Sequence, residues 1–414
     1  MSLTAREEWK KYWTLPASAS IGNTASILHI YSLGAFMIPL NEAFGWSRAQ
    51  VSSGITVSNS LTGLLGILIG VLIDRWGPRR VGLIGICIMG AAFSMLSTAT
   101  GSYMNWLFLW GFIALGATWT QTTIWTGAVS TRFDKSRGLA IAMTISGSGM
   151  AATLLPILAT EAIEGLGWRY AFLALGLGWW LIAMPLNVLF FRGSADAART
   201  RENHPPPENP QKLSGVSAKE CFTSFTFYRL AIAGGLFSFC AMGLIVHFVP
   251  VLIDRGLGTM QAAGIAGLVG IASIAGRFGT GLLLDRFRPE RVALFAFALP
   301  TITALCLLYG QSPLAYSVAA IVMGFSLGAE LDVIIYLSTR HFGLRRFGII
   351  FATTLLFLTT GTALGPVSAG AIFDNYGSYS VFLMMIIPMV LTGALLVGTM
   401  RRAPDLSAFK STAP

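Results

Sequence analysis

Twelve apolar runs, each of about 20 residues, constrain this chain more than any other feature. They fall near 15–40, 48–73, 81–99, 106–130, 138–163, 169–191, 228–252, 262–284, 292–310, 314–338, 347–372 and 379–400. Charged residues make up 11% of the chain, against roughly 25% in soluble domains. So few charges cannot cover that much apolar surface in water, so the solvent must be lipid. A soluble enzyme, a secreted protein and a disordered chain are excluded. The pattern argues against an outer-membrane barrel, because its strands would alternate in polarity over roughly ten residues. The expectation is an all-α membrane protein with twelve transmembrane helices.

The basic residues orient the spans. Of the 28 lysines and arginines, 24 lie at the two ends of the chain or in loops on the same side, three lie on the opposite side, and Arg277 lies inside a span. The positive-inside rule then places both termini in the cytoplasm. The net charge of +10 reflects this asymmetry, so no nucleic-acid partner is expected. The polar break after residue 191, with Pro205, Pro206 and Pro207, reads as a linker. The expected organisation is 1–191 as one six-helix half, 192–227 as a cytoplasmic linker, 228–400 as the second half and 401–414 as a tail. Cys87, Cys221, Cys240 and Cys306 suggest no disulfide, and no signal peptide is evident.

The two halves repeat. Gly70-Val-Leu-Ile-Asp74-Arg75-Trp-Gly-Pro-Arg79-Arg80 recurs as Gly281-Leu-Leu-Leu-Asp285-Arg286-Phe-Arg-Pro-Glu-Arg291, offset by 211. Ser130-Thr-Arg132 recurs as Ser338-Thr-Arg340 at an offset of 208, and Pro156 as Pro366 at 210. Near-constant offsets point to a duplicated six-helix unit, giving two pseudo-symmetric halves. Asp74, Arg75, Arg79, Asp285, Arg286 and Arg137 sit at cytoplasmic helix ends, where they can latch and release neighbouring helices. A solvated turn carrying the positive-inside charges is the alternative.

On these residues the chain resembles the major facilitator superfamily, over all twelve spans. Gly70 to Arg80 is similar to that superfamily's loop 2–3 signature, and the second copy departs from it with Arg288 where the first has Gly77. Phe133-Asp-Lys135-Ser-Arg137-Gly-Leu139-Ala140, followed by Ser146-Gly147-Ser148, resembles the span 5 signature of monocarboxylate transporters. Gly328-Ala-Glu330-Leu-Asp332 through Gly343 is similar to bacterial members of that group and to oxalate/formate exchangers. The resemblance implies the major facilitator fold, with spans 8 and 10 close together. It also implies a role for Arg277, which matches a span 8 arginine linked to substrate. The family's aspartate four residues earlier is Ser273 here, and its span 1 lysine is missing.

Ionisable groups inside spans cost about 2.5–3.5 kcal/mol on insertion scales, so they mark function by default. The candidates are Arg277, Glu330, Asp332 and His29. Arg277 lies eight residues before Asp285, and Asp332 eight before Arg340; both therefore sit about 12 Å from the inner boundary and can pair. Glu330 faces roughly 200° away from Asp332 around the helix. Glu161 and His247, near the outer ends of spans 5 and 7, are expected to stay wet. One reading makes Arg277–Asp332 a permanent pair joining two helices. The other has Arg277 offer its planar fork to a substrate carboxylate, with Asp332 or Glu330 taking the proton. His29, Tyr31, Gln121, Trp125, Ser146 and Tyr336 are further candidates for the cavity wall, His29 either as a ligand or as a packed histidine.

These observations favour a non-enzymatic secondary transporter of organic monocarboxylates, proton-coupled, working as a monomer in a bacterial inner membrane. Its partners would be a small organic anion, H+ and the lipid bilayer. An anion exchanger, an exporter and a non-transporting sensor are the alternatives. No ATP-binding loop and no grouping with metal-ligand spacing is present in the sequence, so no cofactor and no metal are expected.

Overall fold

Runs this apolar have to satisfy every backbone N–H and C=O within the segment, and in lipid an open chain can do so only as helix. A computed structural model describes residues 4–193, 216–343 and 345–401. Ten of its helical segments are long and apolar enough to cross a bilayer. The other two expected spans are helical too, 48–73 as Arg48–Trp76 and 106–130 as Tyr103–Trp119 plus Thr122–Ser130. The expected linker 192–227 and tail 401–414 fall mostly outside the described residues. Of the linker, Ala218–Thr223 is a short capped helix.

Spans 1, 4, 5 and 9 are built from two segments each. Span 1 is Thr14–Ala25 and Leu28–Phe44, and span 5 is Arg137–Ile145 and Gly147–Leu166. Span 9 is Pro289–Ala298 and Pro300–Tyr309, divided just before a proline that cannot donate to the previous turn. In span 4 the break at Thr120 and Gln121 frees a carbonyl, and the indole Nε1 of Trp125 donates to it at 2.8 Å. Spans 7, 10 and 11 are instead single helices of 30 residues: Phe225–Asp254, Pro313–Phe342 and Phe347–Tyr376. Span 8 is the helix Thr259–Arg286.

The repeat extends to the backbone. Glycines with positive φ occur at Gly45 and Gly256, 211 apart, and at Gly167 and Gly377, 210 apart. The loop motif also explains its own departure. Gly77 ends span 2 with φ 81°, ahead of Pro78, whereas Arg288 takes an ordinary extended φ of −62° ahead of Pro289. The second turn therefore needs no glycine.

By internal contacts the chain forms two compact units. One comprises the first six spans together with Ile245–Ile271, the end of span 7 and start of span 8; the other comprises the rest of span 7 and the chain from Ala272. Within the first unit, a β-carbon on Gly34 would press on the Val246 carbonyl, and one on Gly270 on the Gly149 carbonyl. Glycine is what permits such close helix contact. Two polar links join span 2 to the end of span 7. Arg48 makes a bidentate pair with Asp254 at 2.7 and 3.0 Å, and Ser52 Oγ lies 3.1 Å from His247 Nε2. His247 is fully buried, so the expectation that it stays wet is corrected: the contact with Ser52 supplies what water would have.

Candidate functional site

In the second unit, spans 8 and 10 touch backbone to backbone. A β-carbon on Gly328 would collide with the Ser273 carbonyl, and one on Gly276 with the Phe325 carbonyl. One turn along from the Ser273–Gly328 contact stand Arg277 and Asp332, each four residues on. Two helices that close place the side chains of the next turn opposite one another. Arg277 Nη1 donates to Asp332 Oδ1 at 2.9 Å, with side-chain exposures of 13% and 27%. The pair is sheltered but reachable.

Glu330 turns the other way, as its helical angle requires. Its carboxylate is buried and accepts a hydrogen bond from Ser238 Oγ on span 7. The two acids of span 10 thus have different hydrogen-bond partners. Tyr336 lies one turn beyond Asp332 on the same face, and the Arg340 guanidinium stands 5.8 Å from its ring centre. A cavity of about 400 Å³ lies nearby between spans 7, 11 and 12, walled by Phe239, Phe357, Gly361 and Met389, and Arg277 does not line it. Its wall carries no charged side chain, and Thr360 is the one polar side chain among its lining residues.

In the first unit the Arg48–Asp254 pair stands at the ends of its helices, and deeper in the spans the helix interruptions meet. Thr122 Oγ1, at the start of the second segment of span 4, donates to Asn23 Oδ1 at 2.8 Å. Thr24 Oγ1 donates to the Gly147 carbonyl, at the joint of span 5, at 2.9 Å. Gln121 flanks this group and is partly exposed. Ser146 donates back to the Ala142 carbonyl, and Tyr31 is partly buried beside Gly34 and Pro156.

Two of the expected wall residues are buried. Trp125 is fully buried against Gly22 and Gly82 and packs on Phe191. Its indole N–H donates to the Thr120 carbonyl. His29 is 2% exposed, edge-on to Trp110 at 5.7 Å, and neither of its ring nitrogens has a partner among the described residues.

The latch residues are placed as follows. Asp285 and Arg286 are exposed, with no ion pair among the described residues. Arg79 donates to the Val188 carbonyl at 2.6 Å, and Arg75 is exposed. Arg137 donates from Nε to the Phe133 carbonyl and lies 3.8 Å from Asp134. The side chain of Asp74 lies outside the described residues.

Sequence reasoning missed Ser238, Asn23, Arg48, Asp254 and Ser52. Ser238 carried a usable signal, being one of the few polar residues in span 7, whereas Asn23 sits among Ser18, Ser20, Thr24 and Ser26, where no single polar residue stands out. The others sit near span ends, where polar residues are ordinary.

Ten helical segments able to cross a bilayer, helices at the two other expected spans and a duplicated plan describe a polytopic membrane protein. The chain belongs to the Major Facilitator Superfamily, whose profile matches residues 19–354, a family of transporters rather than enzymes. Human (Homo sapiens) monocarboxylate transporter 11 is 24% identical over 412 residues, spanning 95% of this chain and 84% of that protein. The gallate transporter of Pseudomonas putida is 30% identical over 294 residues, 61% of this chain and 62% of that one. The crystal structure of a bacterial homolog of the human lysosomal transporter Spinster, inward-facing and unoccupied, superposes with a TM-score of 0.66 at 18% identity, covering 95% of both chains. That likeness establishes the fold.

Proposed function

We propose that this transporter carries organic monocarboxylates with a proton by alternating access, and that Arg277 is the carboxylate's partner. The observation that supports it is the Arg277–Asp332 pair, placed within spans 8 and 10 and still partly exposed. An arginine keeps its charge under all physiological conditions and presents a fork that matches a carboxylate. An arriving carboxylate therefore competes with Asp332 for the same donors. Once displaced, Asp332 is an unpaired carboxylate in a poorly solvated place, and taking a proton is its cheapest escape. Acid and proton then travel together, one of each. Glu330, already holding the Ser238 hydroxyl, is the second group able to carry a proton. A lone cation in the spans suits one carboxylate rather than two, and the monocarboxylate and gallate relatives point to the same class. The cell context we propose is a bacterial inner membrane with both termini cytoplasmic, from the distribution of lysine and arginine.

Exchange of one acid for another is the second reading, favoured by the same exposed pair if Asp332 stays charged throughout. Uptake of labelled L-lactate, benzoate and gallate into proteoliposomes, with and without an inward proton gradient, separates the two. Gradient-driven accumulation of one acid is expected. Uptake only into acid-loaded vesicles would replace symport by exchange, and no uptake of any of the three would remove the monocarboxylate reading.

A further inference from the structure

The helix before span 1, Ala5–Tyr12, opens with a capping box made by Thr4 and Glu7, so it is ordered by its own sequence. The next residue, Glu8, does something its sequence position does not announce. It is 3% exposed, and its carboxylate collects the turn between spans 4 and 5. Oε1 accepts from the Asp134 and Lys135 amides at 2.9 and 3.0 Å. Oε2 accepts from the Ser136 amide at 3.1 Å and from the Ser136 hydroxyl at 2.7 Å. Three successive amides converging on one anion form a nest. The next turn of the helix rests on the same place: Trp9 and Tyr12 lie 5.2 and 6.2 Å from the ring of Phe133, and Arg132 stacks 5.2 Å over Tyr12.

The internal repeat offers a control. Thr4-Ala-Arg-Glu-Glu8-Trp9 returns as Ser217-Ala-Lys-Glu-Cys221-Phe222 before span 7, offset by 213 and again with a capping box. Five positions keep their chemical type and one changes, Glu8 to Cys221. That thiol is buried, and burial pushes its pKa up to about 12, so it brings no charge. A merely structural pre-span helix does not need the carboxylate. The first copy has one, and there the clamped turn leads straight into Arg137–Ile145, the first segment of a span jointed at Ser146.

We propose that Glu8 is a positioning residue of the transport cycle: by gathering the span 4–5 turn it fixes Arg137–Ile145 and sets how readily that segment moves at the Ser146 joint. The inference rests on the transporter family and not on which solute is carried. The Glu8 carboxyl is pulled down to about 2, first by the Lys135 amide, with further help from the Ser136 hydroxyl and the Asp134 and Ser136 amides. A group lowered from its ordinary 4.5 stabilises the fold fully above that value and loses its contribution as pH falls through the lowered one. The clamp is therefore intact at every pH a cytoplasm reaches.

Hydrogen exchange of the purified full-length protein in lipid nanodiscs tests this, comparing wild type with Glu8→Gln and Glu8→Ala. The amides of 134–136 are expected to exchange about tenfold faster in both variants. The acceleration should continue through Arg137–Ile145, fade beyond Ser146 and leave spans 7–12 unchanged. Unchanged exchange at 134–136, or acceleration that stops at Ser136, would overturn the proposal. Acceleration throughout the chain would mark Glu8 as a general stability residue and overturn it equally. With whichever of L-lactate, benzoate and gallate wild type accumulates, turnover should shift about fivefold in Glu8→Gln while KM stays within about twofold, as gating residues act. If wild type accumulates none, the proposed solute class has failed and the exchange profile alone decides on Glu8.

Discussion

The two halves of this transporter come from one duplicated plan and place polarity inside the membrane in different ways. The first half interrupts its helices: spans 1, 4 and 5 are each jointed, and the joints meet through neutral groups, Thr122 on Asn23 and Thr24 on the Gly147 carbonyl. The second half keeps spans 7, 10 and 11 as unbroken helices of 30 residues and carries charges on spans 8 and 10. Both are ways of keeping a polar site in a medium that penalises unpaired polar groups. A broken helix exposes backbone dipoles that cannot titrate, whereas a charged side chain can bind an ion, exchange partners or accept a proton. The duplication kept spacing and backbone turns, and the chemistry diverged within them. Thr122 stands where the second half has Glu330, and Ile124 where it has Asp332, at the offset of 208.

That contrast can be tested from its strongest point downwards. Arg277→Gln should lower uptake by at least about 30-fold, since truncating one side of a sheltered charge pair costs about 2 kcal/mol or more. Initial rates in proteoliposomes measure it, and Arg277→Lys should not restore them, because a lysine lacks the fork. Next, Gly328→Ala should lower the unfolding temperature in detergent and weaken uptake together. Its β-carbon meets the Ser273 carbonyl, and overpacking at such a contact costs about 1–3 kcal/mol. The matching change where the first half has open space, Gly127→Ala, should leave both unchanged.

The two acids should then part company. Asp332→Asn should abolish proton-driven accumulation and leave exchange measurable, while Glu330→Gln should cost about tenfold or less, because an amide still pairs with Ser238. Equal effects would mean that the acids share one role. Thr122→Val in the first half should cost only a few-fold in KM, about 1 kcal/mol for a neutral hydrogen bond. The smallest effect belongs to Arg48 and Asp254. Either single charge reversal should alter transport a few-fold, and the double reversal should restore it, as expected for a partly exposed pair worth about 1 kcal/mol or less.

The sequence made most of the architecture legible because hydropathy is a local sum: twenty apolar residues need lipid whatever surrounds them. Span positions, the duplication, the lysine and arginine asymmetry and the family all follow from patterns read along the chain. The Arg277–Asp332 contact is legible too, since counting residues to Asp285 and Arg340 puts both at one depth. What the chain could not announce was rotation and approach. Each residue turns a helix by about 100°, and which face meets a neighbour depends on contacts such as Gly328 on Ser273 and Gly276 on Phe325, made by residues 55 and 49 positions apart. Those contacts paired Arg277 with Asp332 and sent Glu330 to Ser238. They also put His29, Trp125 and His247 inside, where an amphipathic count would have left them at a wall or in water. The capture of the span 4–5 turn by Glu8 is of the same kind. A carboxylate on an exposed-looking terminal helix and three amides 126 to 128 residues away share no pattern in sequence, and only folding brings the anion to its donors.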